Sequence, residues 1–496
     1  MRIALRARPF NFRPLCFGVL LLVAGILLSL ICLDSYIARS VTVIAALAVT
    51  AALLVFGKYA LTLFPVMFIT GFLTLSGACD IYRSNIIASA EPLPASARVV
   101  EAVYSDDYPF YIVDSLVVDG AQVKGKMRLY SYAALSVGDV ISFESAFAAD
   151  DFMQDEYFVN DYRKQIYYTA FVSAPEVTDN VSVPLAYRLR HRLKTVLYSD
   201  MRGESADIVL GLLLGDKSQA DANLYSDVKA GGIAHLFAVS GLHVGFLAAA
   251  LTLLLSRSRR GRVLLPALIP SGLAFYAYLC GFPASVVRAV IMCTVGLLAR
   301  TIGYKNDPLT TLFAAGGADL ILFPTDLFSV GFQLSFLSVA GIILFVRPRF
   351  SNAKTTLSSL AFTSVATTAM TFPVIASVFG EFSLLFLPVN CLILPIMPFI
   401  YVLLLINSVL MLIFPFLSGL YLLNELLVLP LKLLSFSAGA LAFSVVSVPS
   451  SGLLTAAYYF LIFLFSRFVF MTRVSKVGIA SAVLTVTIVA AVAAGV

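Results

Sequence analysis

The stretch Gly232-Ile-Ala-His235-Leu-Phe-Ala-Val-Ser240-Gly241-Leu-His243-Val-Gly245-Phe246 places two histidines and a serine at the start of an apolar run that continues to Leu255. Apolar runs of about 20 residues recur along most of the chain and are typical of membrane-spanning helices. The composition agrees, because 60% of the 496 residues are hydrophobic and only 12% are charged. A soluble domain is about 25% charged. The sequence therefore predicts a polytopic α-helical membrane protein.

Thirteen apolar segments are predicted to cross the bilayer. They are 15–33, 41–57, 59–78, 232–256, 263–280, 284–301, 308–323, 326–346, 357–379, 384–412, 417–440, 453–472 and 478–495. Four arginines within Met1–Arg13 predict a cytoplasmic N-terminus, and basic clusters such as Arg257–Arg262 then fall on loops that this count places inside. Prolines within 384–440 are expected to break helices there.

The polar stretch 80–183 follows the third predicted span and is therefore expected outside the cytoplasm. It holds sixteen acidic and seven basic residues, a balance of −9, which leaves +15 for the rest of a chain whose total is +6. Short β-prone runs separated by glycine turns predict strands at 97–103, 110–118, 126–131, 139–147 and 165–172. Five strands in about 100 residues favour a small β-barrel, with an OB-like fold as the natural candidate. Spacing alone does not separate that fold from another small sandwich.

The basic segment Pro184–Asp200 comes next, with Arg188, Arg190 and Arg192 interleaved among leucines and tyrosines. This pattern indicates an interfacial amphipathic helix, and a nucleic-acid contact strip is the alternative. In the stretch Gly211–Ser218, Gly215-Asp216 is expected to end a helix and Lys217 to lie at the interface, because the spacing of a phosphate-binding P-loop is absent.

Polar side chains inside the predicted spans are the candidate functional residues, because polar groups at bilayer depth usually face a partner or a water-filled cavity. On a continuous helix, His235, Ser240 and His243 could face one lumen. Interhelical hydrogen bonding is the structural alternative. A serine hydrolase is another alternative, since Ser240 and His243 resemble a nucleophile and base. In rhomboid proteases, however, a glycine stands at the position of Ala238.

Four further polar residues lie within predicted spans, namely Arg288, Asp319, Gln333 and Asn390. Arg288 either pairs with Asp319 as a structural device or supplies a cationic lining for an anionic substrate. The sequence does not decide between these two roles.

Several of these motifs together resemble the ComEC-type competence proteins, the bacterial inner-membrane DNA-uptake channels. The resemblance rests on Leu212–Asp216, Gly232–Val244, Ser285–Arg288, Gly331–Phe336 with the preceding Phe323-Pro324, and Pro388–Asn390 with Pro395. It covers about 200–470 and, less specifically, the N-terminal spans and the polar module. The implied domains are 1–79, three spans; 80–183, the OB-like domain; 184–230, interfacial helices; 231–472, the channel domain; and 473–496, a last span.

The resemblance implies a channel that passes one DNA strand into the cytoplasm during natural transformation. Its implied pore positions are His235, Ser240, Gly241, His243, Arg288, Gln333 and Asn390, with Asp216, Lys217 and Asp319 at interfaces or a gate. The candidate DNA contacts are Lys124, Lys126, Arg128, Arg163, Lys164, Arg188, Arg190 and Arg192. The implied partners are single-stranded DNA, the lipid bilayer, an external DNA receptor, a separate ATPase and, where one strand is degraded, a separate nuclease. Assembly of several copies of the chain is compatible with such a channel.

Two features depart from the family pattern. An acidic external module binds a polyanion poorly unless its few basic residues share one face. This favours an alternative function, a related transporter or scaffold for another anionic substrate. The chain also holds only three histidines, none in the His-x-His-x-Asp-His spacing of a metallo-β-lactamase-like nuclease. We therefore expect a transport protein, with neither a zinc nuclease site nor a cofactor in this sequence.

Overall fold

The computed structural model describes residues 13–33, 35–85, 89–103, 109–149, 158–216, 222–303, 306–346, 353–441, 444–448 and 452–465. The helices there are α1 Pro14–Ile31, α2 Tyr36–Val55, α3 Leu63–Asn85, α4 Phe158–Lys164, α5 Leu185–Asp200, α6 Gly203–Leu214, α7 Ala222–Ala230, α8 Gly241–Leu255, α9 Arg259–Cys280, α10 Ala284–Thr301, α11 Pro308–Leu322, α12 Val330–Phe345, α13 Ala353–Phe379, α14 Phe386–Ile393, α15 Met397–Ile413, α16 Tyr421–Gly439 and α17 Gly452–Phe465. The strands are β1 Ser89–Val103, β2 Phe110–Val118, β3 Ala121–Gln122, β4 Lys126–Tyr130, β5 Asp139–Ala149, β6 Ile166–Phe171, β7 Glu176–Asn180, β8 Glu381–Ser383 and β9 Val445–Ser447.

The chain is mostly helical, with apolar helices of membrane-spanning length. Within the described ranges, seven helices are long and apolar enough to cross a membrane, and α14 with α15 makes an eighth if that bent pair counts as one span. Three of the thirteen predicted spans, 232–256, 308–323 and 326–346, correspond to shorter apolar helices. The apolar helices α8, α11 and α12 have only 15, 15 and 16 residues, whereas a span needs about 20. The predicted span 478–495 lies outside the described residues.

Two of these short helices are short because non-helical backbone replaces their first turns. The segment 232–240, predicted as the start of a helix, precedes α8 as turns, and a 3₁₀ turn Pro324–Phe328 precedes α12. A similar break bends α14 against α15 by 58°, in the proline-containing stretch where the sequence predicts one. Membrane depth tolerates such breaks only where protein or a watery cavity covers them.

Glycine allows α1 and α3 to pack backbone against backbone. A Cβ on Gly25 would lie 2.1 Å from the carbonyl oxygen of Phe68, and one on Gly71 would lie 2.0 Å from that of Leu22. The buried hydroxyls of Ser29 and Ser76 share a hydrogen bond of 2.8 Å across the same pair. Small residues and interhelical hydroxyl bonds are the usual means of helix association in lipid.

The small sheet is built by the polar module, and all five predicted strands are present. Strands β1, β2, β4, β6 and β5 pair in that order, and β1 also pairs with β5, so the series of pairings returns to its start. Strand β3 pairs with β2, and β7 pairs with β5. All of these pairs are antiparallel except β4 with β6, which is parallel. Inward-facing side chains such as Val99, Val113 and Ile141 are fully buried in its core.

The polar module is seated on the helical part through α4 and α5. Val183, just before α5, is buried with Val100, Ile112 and Ile166 of the strands, and Tyr187 of α5 packs against them. The strand-rich stretch and the helices therefore share a small apolar contact, which fixes the place from which α4 reaches the membrane helices.

The α1–α3 contact generates a prediction that uses two glycines on one helix. Gly71→Ala should lower the free energy of unfolding by about 1–3 kcal/mol, because the methyl group overpacks the backbone contact. Gly77→Ala is the matched control, since no atom of another described element lies within 4 Å of its added Cβ. The measurement is thermal unfolding of the detergent-solubilised protein. Equal midpoints for the two variants would contradict the proposed close packing.

Candidate site at the broken helix before α8

The stretch 232–240 is an ordered non-helical segment rather than part of a helix. Gly232 has a positive φ of 68°, and a Cβ there would lie 2.8 Å from Phe386 at the start of α14. The hydroxyl of Ser383 donates to the carbonyl of Ala230, and the hydroxyl of Ser285 donates to the carbonyl of Val239 at 2.7 Å. Hydrogen bonds from two other elements therefore hold both ends of the segment.

Two side chains of this segment are exposed while their neighbours anchor it. Leu236, Phe237 and Val239 are buried in the main helical core. His235 and Ala238 are exposed. The segment thus turns one polar and one small side chain toward accessible space. The prediction that His235, Ser240 and His243 lie on one helix is wrong, because only His243 is within α8.

Ser240 and His243 form the N-terminal cap of α8. Ser240 is the N-cap residue, and its backbone N–H donates to Nδ1 of His243 at 3.0 Å. With Nδ1 acting as an acceptor, a neutral imidazole carries its proton on Nε2. His243 is 0% exposed, its ring lies 4.9 Å from that of Tyr401, and Nε2 has no hydrogen-bond partner in the described part of the chain.

The hydrolase alternative gains little from this geometry. The hydroxyl of Ser240 lies 3.3 Å from Nδ1 of His243, but Nδ1 already accepts the Ser240 amide proton. A catalytic base also needs a group that orients its second nitrogen, and none of the described residues hydrogen-bonds Nε2. The pair is arranged as a helix cap.

Arg288 on α10 lies beside the start of α8. Its side chain is 3% exposed, and Nη2 lies 3.4 Å from the position that a Cβ on Gly241 would take. Nη2 donates to the hydroxyl of Ser335 on α12. Nε and Nη1 find no hydrogen-bond partner among the described residues. A buried guanidinium is therefore left with free donors, which is costly unless something binds them.

The remaining predicted pore residues are more dispersed. Asn390 on α14 is 6% exposed, and its Oδ1 has no hydrogen-bond partner in the described ranges. Gln333 on α12 is half-buried, and its amide donates to the carbonyl of Leu327 at 3.0 Å, which closes the turn before that helix. The geometry thus joins Ser240, Gly241, His243 and Arg288 at one place, whereas Gln333 is engaged locally.

Asp319 belongs to a buried ion cluster that ties the polar module to the membrane helices. Arg163 of α4 donates to the two carboxylate oxygens of Asp319 at 3.1 and 3.4 Å and also contacts Asp326. Its Nε donates to the carbonyl of Phe282 at 2.7 Å, and its guanidinium lies 4.5 Å from the ring centre of Phe323. We call these five residues the Arg163 cluster.

The charges of the Arg163 cluster are almost fully removed from water. Asp319 is 0% exposed, and the Arg163 side chain is 9% exposed. Burial lowers the pKa of the Arg163 guanidinium from its ordinary value, and Asp319 partly offsets that shift. Asp319 also interacts electrostatically with Arg288, but its hydrogen bonds go to Arg163. The direct Arg288–Asp319 pair considered from the sequence is not formed.

Asp216 also lies at a contact between elements. Gly215 ends α6 with a positive φ of 71°, as predicted, and packs against Val239 of the broken segment. Asp216 pairs with Lys194 of α5 at 2.5 Å. Lys217 lies outside the described residues. Asp216 therefore joins α6 to α5 through Lys194, which lies one turn after Arg190 on α5.

The eight candidate DNA contacts divide into engaged and exposed side chains. Four of them contact other parts of the protein. Arg163 lies in its cluster, and Arg128 pairs with Asp161 at 2.6 Å. Lys126 bonds to the Tyr187 hydroxyl at 2.9 Å, and Arg190 donates to the carbonyl of Leu279. Exposed are Lys124, Lys164, Arg188 and Arg192. Most of the module's few arginines thus stabilise the protein itself.

Three residues of these sites were missed from the sequence as functional candidates. Asp326 is the second acid of the Arg163 cluster, Ser335 accepts from Arg288, and Tyr401 packs on His243. Asp326 could have been found, because it follows Phe323-Pro324 in an apolar region with few acids. Nothing in the local sequence distinguishes Tyr401, which reaches the site only through the bend before α15.

The comparison with protein families matches residues 212–472 to the family described as Competence protein. The chain belongs to this family. The match includes the broken segment, α8, Arg288 and Asn390, while the polar module precedes it. The resemblance inferred from the motifs is therefore confirmed at the level of the family.

Curated relatives match up to about half of this Competence family chain. ComE operon protein 3 of Bacillus subtilis is 29% identical over 243 residues, which are 48% of this chain and 31% of that protein. The uncharacterized protein YcaI of Escherichia coli is 27% identical over 211 residues, 39% of this chain and 28% of YcaI. An uncharacterized Aquifex aeolicus protein is 35% identical over 147 residues, 29% of this chain and 34% of its own length. The chain thus matches about a third of each relative, and no solved structure matches it.

The Arg163 cluster generates a prediction about how the module is held. Arg163→Ala should lower the free energy of unfolding by about 3–5 kcal/mol, because it leaves two buried carboxylates without their cation. Thermal unfolding and limited proteolysis between the module and the helices are the measurements. The neighbouring exposed residue supplies the control variant, Lys164→Ala.

A compensating variant separates lost charge balance from lost packing. Adding Asp319→Asn and Asp326→Asn to Arg163→Ala should recover part of the stability, since the two buried carboxylates that lost their cation are then neutral. If Arg163→Ala and Lys164→Ala unfold at the same temperature, the cluster does not hold the module.

Proposed function

We propose that the chain forms a membrane conduit through which a single DNA strand enters the cytoplasm during competence. The observation that carries this proposal is the buried guanidinium of Arg288 beside Gly241 at the start of α8, since its Nε and Nη1 have no hydrogen-bond partner among the described residues. A strand of DNA carries one negative charge per nucleotide, so its path through a low-dielectric layer requires cations and donors. Membership of the Competence family agrees with a role in DNA uptake.

The proposed path runs past the exposed His235 and Ala238 to the capped start of α8 and Arg288. Ser240, Gly241 and His243 shape this point, and we assign Gln333 and Asn390 to the same path. Irregular backbone at membrane depth is expected where it lines a cavity. The broken segment is therefore the element that we assign to the wall of the conduit.

We further propose that the protein lies in a bacterial cytoplasmic (inner) membrane with its N-terminus in the cytoplasm. The polar module then faces outward, and the domains follow the division predicted from the sequence: 1–79, 80–183, 184–230, 231–472 and 473–496. We infer an OB-like barrel for the module. Its support is the cyclic strand pairing with one parallel pair.

The energy and the DNA are supplied by other proteins in this proposal. An external receptor presents DNA, a separate ATPase drives transport, and a separate nuclease degrades the other strand where degradation occurs. Single-stranded DNA and lipid are the direct partners of the chain, and several copies could assemble. The exposed Lys124, Lys164, Arg188 and Arg192 are the remaining candidates for DNA contact outside the membrane.

A second candidate function is transport of another anionic substrate without a role in transformation. The observation that favours it is the engagement of Arg128 and Arg163 in internal ion pairs, within a module whose net charge is −9. Such a module offers little free positive charge to a polyanion.

Uptake of labelled DNA by a deletion strain complemented with point variants tests the main proposal. Arg288→Ala should reduce internalised DNA about ten- to hundredfold, in line with the loss of a charged hydrogen bond worth about 1.5–3 kcal/mol. His243→Ala should act in the same direction. DNA bound at the cell surface should stay at the wild-type amount in both strains.

Arg300→Ala is the matched control, because Arg300 is exposed at the other end of α10. Immunoblots of membranes establish that each variant is present. If the deletion strain of a competent host transforms at the wild-type frequency, the proposal is contradicted. The second candidate function is favoured if that strain transforms normally but no longer takes up a smaller anion.

A further inference from the structure

The start of α8 and the Arg288 side chain together have the properties of an oxyanion site. The first amides of a helix have no partner within the helix. In α8 the amides of His243 and Val244 bond back to the carbonyl of Ser240, whereas those of Gly241 and Leu242, the first two of the helix, have no acceptor within it. The positive end of the helix dipole lies at the same point.

Arg288 supplies the second, independent observation. Arg288 is 3% exposed, its Nη2 lies 3.4 Å from the position that a Cβ on Gly241 would take, and its Nε and Nη1 have no hydrogen-bond partners in the described ranges. The third nitrogen, Nη2, donates to the hydroxyl of Ser335. A planar guanidinium with free donors matches the oxygens of a carboxylate or phosphate group.

The charged groups near Arg288 influence which ligand charge the site favours. The nearby acid is Asp319, whose oxygens bond to Arg163. The charges of the two arginines and of Asp319 and Asp326 sum to zero, so a ligand gains from hydrogen bonds with Arg288 and not from an excess of positive charge. A singly charged group adds less charge to this buried region than a doubly charged one, and a phosphodiester carries a single charge.

We propose that Arg288 and the first turn of α8 bind one phosphodiester of the moving strand at a time. Nε and Nη1 donate to its oxygens, and the amides of Gly241 and Leu242 face it from the helix end. This inference rests on the proposed function and deepens it, because it makes backbone charge, and not the base, the feature that is recognised.

Gly241 matters here because it has no side chain between the helix end and the guanidinium. An added Cβ would lie 3.4 Å from Nη2 of Arg288 and 3.5 Å from Cβ of Ala289, which are ordinary contacts. Gly241→Ala should therefore fold, but its methyl group would lie between the helix end and the Arg288 guanidinium, where we propose that the anion binds. This variant perturbs the site without removing its charge.

The test uses the full chain in lipid nanodiscs, with inorganic phosphate and a 12-residue oligothymidylate as probes. Phosphate should raise the thermal midpoint of the wild type and of Arg288→Lys, and have little effect on Arg288→Gln. Gly241→Ala should need several-fold more phosphate for the same rise. Arg300→Gln, on the same helix, should behave as the wild type.

Binding of the oligonucleotide at several salt concentrations gives the second readout. Arg288→Gln should weaken binding and reduce the log–log salt slope by about 0.7, the value for one phosphate contact on a single strand. Replacing thymidine by other bases should not change this difference.

The outcomes separate the two proposals. Equal phosphate stabilisation and equal salt slopes in wild type, Arg288→Gln and Gly241→Ala would overturn the oxyanion site while leaving DNA transport standing. Stabilisation by phosphate that depends on Arg288, without any oligonucleotide binding by the wild type, would support the site and count against DNA as the substrate.

Discussion

Backbone amides and carbonyls cannot be left without hydrogen bonds at membrane depth, and this constraint governs the centre of the molecule. The segment 232–240 interrupts an apolar stretch and gives up helical hydrogen bonds. Serines on neighbouring elements hold its two sides: Ser285 of α10 bonds to Val239 within the segment, and Ser383 of β8 bonds to Ala230, the residue that ends α7 just before it. The broken segment is therefore tied to α10 and to β8.

The Arg163 cluster places a second constraint on the same region. Two carboxylates and a guanidinium are buried where α9 ends and α11 meets the turn before α12. The backbone at Phe282 adopts a positive φ of 54°, and its carbonyl accepts from Arg163. Breaking a buried pair by removing one partner costs far more than the intact pair contributes. The polar module is thus tied to the helices at a point that is electrostatically linked to Arg288 through Asp319.

Much of the architecture could be predicted from the sequence, because apolar run length and alternating β-prone runs report directly on burial. The helices at 14–31 and 284–301 and the strands at 110–118 and 139–149 follow the predicted segments closely. The helical continuation through Gly232–Ser240 was wrong for a physical reason. Hydropathy measures partition into lipid and does not register that serines elsewhere in the chain can satisfy a non-helical backbone.

The candidate site was only partly predictable for a related reason. His243 and Arg288 stand out as rare polar residues in apolar runs, and the structure brings both to the start of α8. The ion pairs of Arg163 could not be predicted, because Asp319 and Asp326 lie more than 150 positions away and the burial of Arg163 depends on how α4 docks. Tyr401 likewise reaches His243 only through the bend between α14 and α15.

We propose that the broken segment 232–240 lines the path of the DNA strand. A photo-crosslinking residue at Ala238, which is exposed on that segment, tests it directly when compared with one at Val41, which is exposed on the apolar helix α2. During uptake of labelled DNA, crosslinks should form at position 238 and not at position 41. DNA uptake that proceeds with no crosslink at position 238, or with equal crosslinking at both positions, would contradict the account.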